Sequence, residues 1–155
     1  MHPNPDPVLN PSGREVQEAT WKVAEKAVIL QRALIVDDSR AYRLVMKNYL
    51  SELGFDPVES KDGHDALEQL RGGLKVAVAL VDWEMPRMTG VELIRALRAD
   101  SQWDHLPIIM VTTRSSADCV IEAIASGANE FIMKPFTKEV LAAKLELAQY
   151  ICEGD

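Results

Sequence analysis

Cysteine is nearly absent from this 155-residue chain, and its two residues, Cys119 and Cys152, stand far apart. That excludes a disulfide scaffold and a thiolate metal site, and it fits a reducing, cytoplasmic compartment. Histidine is as scarce: His2, His64 and His105 are scattered, as surface residues are, rather than spaced as ligands. No apolar run is long enough to span a bilayer, and the N-terminus lacks the basic-then-apolar order of a signal peptide, so no membrane partner is expected. Positive charge is in deficit, with 17 Lys and Arg against 24 Asp and Glu for a net charge of −7. A surface of that sign does not hold a phosphate backbone, so no nucleic acid partner is expected.

What is present is an ordinary globular balance, 47% hydrophobic and 26% charged, in a length that suits one core. Residues 1–12 hold four of the eight prolines and no periodicity, which reads as a mobile arm. Ser12 with Glu15 forms a capping-box pattern, and Val16, Ala19, Val23, Ala27 and Leu30 follow at helical spacing, predicting an N-terminal helix over 13–31. Its apolar stripe must pack on its own domain or on another copy. The short connection to the next strand favours a homodimer through this helix, with Trp21 at or near the contact.

From residue 32 to 155 the pattern alternates. Ala33–Val36 reads as a buried strand, and Tyr42, Val45, Met46, Tyr49, Leu50 and Leu53 share one helical face ended by Gly54. A weaker strand near Pro57–Glu59 carries a proline and so belongs at a sheet edge. Asp62 caps a short helix. The run Val76–Val81 is apolar without alternation, as in a strand covered on both faces. Thr89 and Glu92 make a capping box for the next helix. Ile108–Val111 is a fourth strand, Ser115 with Asp118 opens a helix that Gly127 stops, and Phe131–Met133 is a fifth. Thr137 caps the last helix, whose inward residues are Val140, Leu141, Leu145, Ala148 and Ile151. Five strands alternating with five helices predict an α/β fold, a parallel sheet with helices on both faces.

Such a sheet puts the C-terminal ends of its strands on one edge, where ligands bind. Asp37 and Asp38, Asp82, Thr112 and Lys134 stand at four of those ends. One acid after a strand is usually a turn residue, but three carboxylates, a hydroxyl and an ammonium on one rim are not punctuation. The carboxylates repel by about 4 kcal/mol per close pair at an effective dielectric near 20. A divalent cation relieves this, and an all-oxygen set suits Mg²⁺, which keeps water and accepts phosphate. Thr112 can donate to a phosphoryl oxygen, Lys134 can neutralise another, and Asp82 is placed to attack phosphorus and form an acyl phosphate.

LIVDDS (34–39), LVDWEMPRMTG (80–90), Thr112 and GANEFIMKPF (127–136) together resemble the receiver domain of two-component response regulators, the stand-alone CheY-like kind. The resemblance spans residues 32 to about 152 and implies a flavodoxin-like sheet in order 2-1-3-4-5. It implies that Asp82 accepts a phosphoryl group from a histidine kinase. Asp38 would ligate Mg²⁺ directly, Asp37 through water, and Glu84 through its carbonyl. Thr112 and Lys134 would bind phosphoryl oxygens, and Lys134–Pro135 would be cis. Thr112 would move with the aromatic at Phe131, where tyrosine is frequent. Thr113 is larger than the alanine often found there, which by the resemblance would narrow access to Asp82. Glu84 and Arg114 either pair across the pocket or are solvated separately. With no output domain after Lys134–Pro135, the expected protein catalyses its own phosphorylation and dephosphorylation. It then either signals through a phosphorylation-switched face to a target protein or passes the group to a histidine phosphotransfer protein. A haloacid-dehalogenase-type phosphatase also uses an Asp at a strand end with a second acid two residues on, here Glu84, but leaves Asp37 and Asp38 unexplained. A flavodoxin needs a phosphate loop that Asp37-Asp38-Ser39-Arg40 would repel.

Overall fold

The computed structural model describes residues 8–9, 15–16 and 30–153, with side chains from 30 to 149. The chain forms two units, Met1–Leu30 and Gln31–Asp155. In the first, Val8–Leu9 and Glu15–Val16 pair antiparallel, with Val8 opposite Val16. This corrects the start of the helix expected over 13–31: Glu15 and Val16 are extended, with their backbone paired to Leu9 and Val8 rather than to a next helical turn. The remainder of that helix, Trp21 and the rest of the arm over 1–12 lie outside the described residues.

The second unit holds five parallel strands: β1 (Arg32–Val36), β2 (Asp56–Ser60), β3 (Val78–Asp82), β4 (Ile108–Thr112) and β5 (Glu130–Met133). They are ordered β2-β1-β3-β4-β5. Helices α1 (Arg40–Glu52), α2 (Gly63–Arg71), α3 (Gly90–Arg98), α4 (Ala117–Ser126) and α5 (Lys138–Glu153) connect and follow them. The sheet has the expected order, with Pro57 on its edge strand β2.

Apolar runs without alternation are explained by two cores, one per face. Leu34, Val36, Ala79, Val81, Ile108 and Met110 point toward α2, α3 and α4. Ala33, Ile35, Val78, Leu80, Ile109, Val111 and Ile132 point toward α1 and α5. Successive strand residues alternate faces, so each strand feeds both cores.

Caps set the helix ends. Thr89 and Glu92 form the complete capping box of α3, and Asp62 accepts from the Asp65 amide at 2.8 Å to open α2. Helix α4 is capped one residue later than its sequence pattern predicts: Ser116, not Ser115, accepts from the Cys119 amide. The inward stripes are also narrower than their apolar residues. Val45 and Val140 are exposed, while Met46, Leu50, Leu141, Leu145 and Ala148 are buried. At 3.6 residues per turn, the exposed valines fall at the flank of the buried stripe.

Arg98 closes the end of the sheet away from the strand C-termini. Its guanidinium donates to the carbonyls of Trp103, Leu106 and Gly127 and to Asn129 Oδ1. The same Asn129 oxygen accepts from the Ile108 amide at 2.8 Å.

Candidate functional site

Strand parity explains the site. Asp37 continues the series Ala33, Ile35; Asp82 continues Val78, Leu80; Lys134 follows Ile132 by two. All three therefore lean to the α1 and α5 face just where the strands end. Backbone pairing persists that far, with the Asp37 amide donating to Ser60 O at 3.2 Å and the Lys134 amide to Thr112 O at 2.8 Å.

Asp37 is fully buried, Asp82 is buried at 7% exposure, and Asp38 is exposed. Each offers a carboxylate oxygen within 4.8 Å of the others. Lys134 Nζ donates to Asp37 Oδ2 at 2.8 Å and to Asp82 Oδ1 at 3.3 Å. The Ser39 amide donates to Asp37 Oδ1 at 2.8 Å. Burial first, and then the Asp37 charge, push the Asp82 carboxyl from 3.8 up to about 6, against the pull of Lys134. Thr112, buried at 1% exposure, accepts from the Arg114 amide at 3.2 Å and keeps its own hydroxyl proton to donate. The Lys134–Pro135 peptide is cis.

The loop after Asp82 is tightly held. A Cβ on Gly90 would run into the Asp82 carbonyl oxygen, so only glycine lets α3 begin there. Arg87 takes a left-handed φ of 69° and its guanidinium meets the buried Asp62 carboxylate at 2.9 Å. The Asp65 amide, then Arg87, hold that carboxyl below its ordinary range.

The structure brings Glu84 and Arg114 together: Arg114 Nε donates to Glu84 Oε1 at 3.0 Å, and the guanidinium lies 4.9 Å from the centre of the Trp83 ring. Thr113 is exposed beside them, and Phe131 is half-buried against the core on the α2, α3 and α4 side. Sequence reading missed one neighbour. Tyr42 on α1 lies 4.0 Å from Lys134 Nζ, face on; its helical spacing marked it only as a core residue.

The donor set is all oxygen, which fits a hard divalent cation that shares its shell with water and phosphate. Residues 33–146 match the family model of the response regulator receiver domain. The chain belongs to that family. It is 43% identical to the chemotaxis protein CheY1 of Helicobacter pylori over 117 residues, 75% of this chain and 94% of that protein. It is 45% identical to the chemotaxis protein CheY of Pseudomonas aeruginosa over 116 residues, 74% of this chain and 93% of that one. The solved CheY4 of Vibrio cholerae superposes with a TM-score of 0.72 at 34% identity, covering 77% of this chain and 98% of that chain. The receiver family leaves the dehalogenase and flavodoxin readings without support. Among the described residues, no helix is long and apolar enough to cross a membrane.

Proposed function

We propose that this receiver accepts a phosphoryl group on Asp82 from a histidine kinase, in a Mg²⁺-dependent reaction, and signals through a protein-binding face switched by that charge. The observation that carries the reading is Lys134 Nζ held between Asp37 and Asp82, with Thr112 on the neighbouring strand. An Asp82 carboxylate oxygen attacks phosphorus, and the P–N bond to the donor imidazole breaks with its electron pair left on nitrogen. Lys134 then shifts its ammonium toward a phosphoryl oxygen and the Thr112 hydroxyl donates to another. Asp38 and Asp82 would hold Mg²⁺ directly, Asp37 through water and Glu84 through its carbonyl; the bound ion supplies positive charge to the carboxylates and phosphoryl oxygens.

Exposed Ile121 and Ile124 on α4, Met133 on β5 and Val140 and Leu147 on α5 offer apolar surface for the target protein. The relatives' names place them in chemotaxis, and the same pathway class is proposed here. Incubation with acetyl phosphate and Mg²⁺ tests the reading: one acid-stable, base-labile phosphoryl group is expected on the parent and none on Asp82→Asn. Equal labelling of that variant would move the acceptor elsewhere.

A further inference from the structure

We propose that Tyr42 is a positioning residue for Lys134: its ring face holds the ammonium over Asp82 while the carboxylates change partners. The inference rests on the phosphoryl-acceptor reading for its consequence, though not for the contact itself.

An ammonium carries three N–H groups. Two face carboxylates, Asp37 Oδ2 at 2.8 Å and Asp82 Oδ1 at 3.3 Å. The Tyr42 ring centre stands 4.0 Å from Nζ, within cation–π range, and serves the remaining side. The Lys134 side chain is only 4% exposed, so water does little to screen that attraction. Tyr42 itself is fixed from below, packed against the core on the α1 and α5 face that contains Ala33, Ile35, Met46 and Leu50.

The chemistry explains why a ring serves here. Both carboxylates that hold Lys134 belong to the three-acid cluster, so any cation drawn to the cluster competes for them. A ring quadrupole attracts the ammonium without adding a fourth negative charge beside an incoming phosphoryl group. It also offers no competing oxygen or nitrogen acceptor, so an N–H that leaves a carboxylate can turn to a phosphoryl oxygen. The ring face, and not the hydroxyl, meets Nζ, so phenylalanine should replace tyrosine and an aliphatic residue should not.

Two measurements test this. Proton NMR should show the Lys134 ε-methylene resonances shifted upfield by the Tyr42 ring in the parent and in Tyr42→Phe, and returned to ordinary values in Tyr42→Leu. Beryllofluoride affinity in Mg²⁺, read by Trp83 fluorescence, should fall about 3- to 30-fold in Tyr42→Leu and stay within about twofold in Tyr42→Phe. In a Lys134→Met background Tyr42→Leu should cost nothing more, since the cation it acts through is gone. If Tyr42→Leu does not fold, Tyr42→Met serves as the aliphatic variant. Unshifted Lys134 protons in the parent overturn the inference. So do equal losses in the Phe and Leu variants, or a loss that persists without Lys134. A parent with shifted Lys134 protons that binds no beryllofluoride keeps the contact and instead defeats the phosphoryl-acceptor reading.

Discussion

Arg114 reaches across the mouth of the site to Glu84, its terminal nitrogen 2.8 Å from Oε1, while stacked on Trp83. Both side chains are exposed, and they leave the backbone two residues after Asp82 and two after Thr112. Changing either residue alone to alanine should speed hydrolysis of the Asp82 phosphate about two- to fivefold, the range of an exposed ion pair. A double-mutant cycle on the decay rate should show coupling; additive effects would mean that the two act separately.

Asp82 sets a pH dependence whose sign follows from its raised value. A carboxyl raised from 3.8 to about 6 favours the fold while protonated, so its contribution is complete below its ordinary value and is lost as pH rises through about 6. In EDTA at pH 7, Asp82→Asn should therefore melt about 3–6 °C above the parent, the gap closing toward pH 4. Carbon NMR of the Asp82 carboxyl should give a midpoint near 6 without metal and a lower one with Mg²⁺.

The metal assignment is tested at Asp38, the exposed member of the cluster. Asp38→Ala should weaken Mg²⁺ binding by at least the roughly tenfold typical of losing a mere outer partner of a ligand. Quenching of the buried Trp83 reads the titration. Unchanged affinity would remove Asp38 from the metal site.

Gly90→Ala places a methyl group onto the Asp82 carbonyl. Relief requires shifting the strand end or α3, at about 1–3 kcal/mol. Acetyl phosphate labelling of Asp82 should slow along with the fall in melting temperature, because the displaced atoms belong to the residue proposed as acceptor. Labelling at the parent rate would show that the loop absorbs the shift.

The sheet was legible because four of its five strands read as short apolar runs ending on an acid, a hydroxyl or an ammonium, which brings Asp37, Asp82 and Lys134 to one edge. What escaped was what depends on the third dimension within a helix. Tyr42 and Val45 look alike in a periodic stripe, yet one meets Lys134 and the other meets solvent. Ser115 and Ser116 are equally good caps by composition, and only the path of the chain leaving β4 chooses between them. Glu15 did not open a helix because its backbone pairs with a segment six residues earlier, a partner that a local capping motif does not reveal.

The division of each strand between two cores ties its chemistry to an odd-or-even count. Val78 and Leu80 lead to Asp82 on one face, and Ala79 and Val81 lie on the other. Deleting one residue within β3 would exchange both sets at once, sending the Asp82 carboxylate to the side of Trp83 and Met110, away from Lys134. Deleting two would restore the facing and merely shorten the reach by about 7 Å. The length of β3 is thus constrained in steps of two, and the placing of the Asp82 carboxylate beside Lys134 depends on that count as firmly as on its own identity.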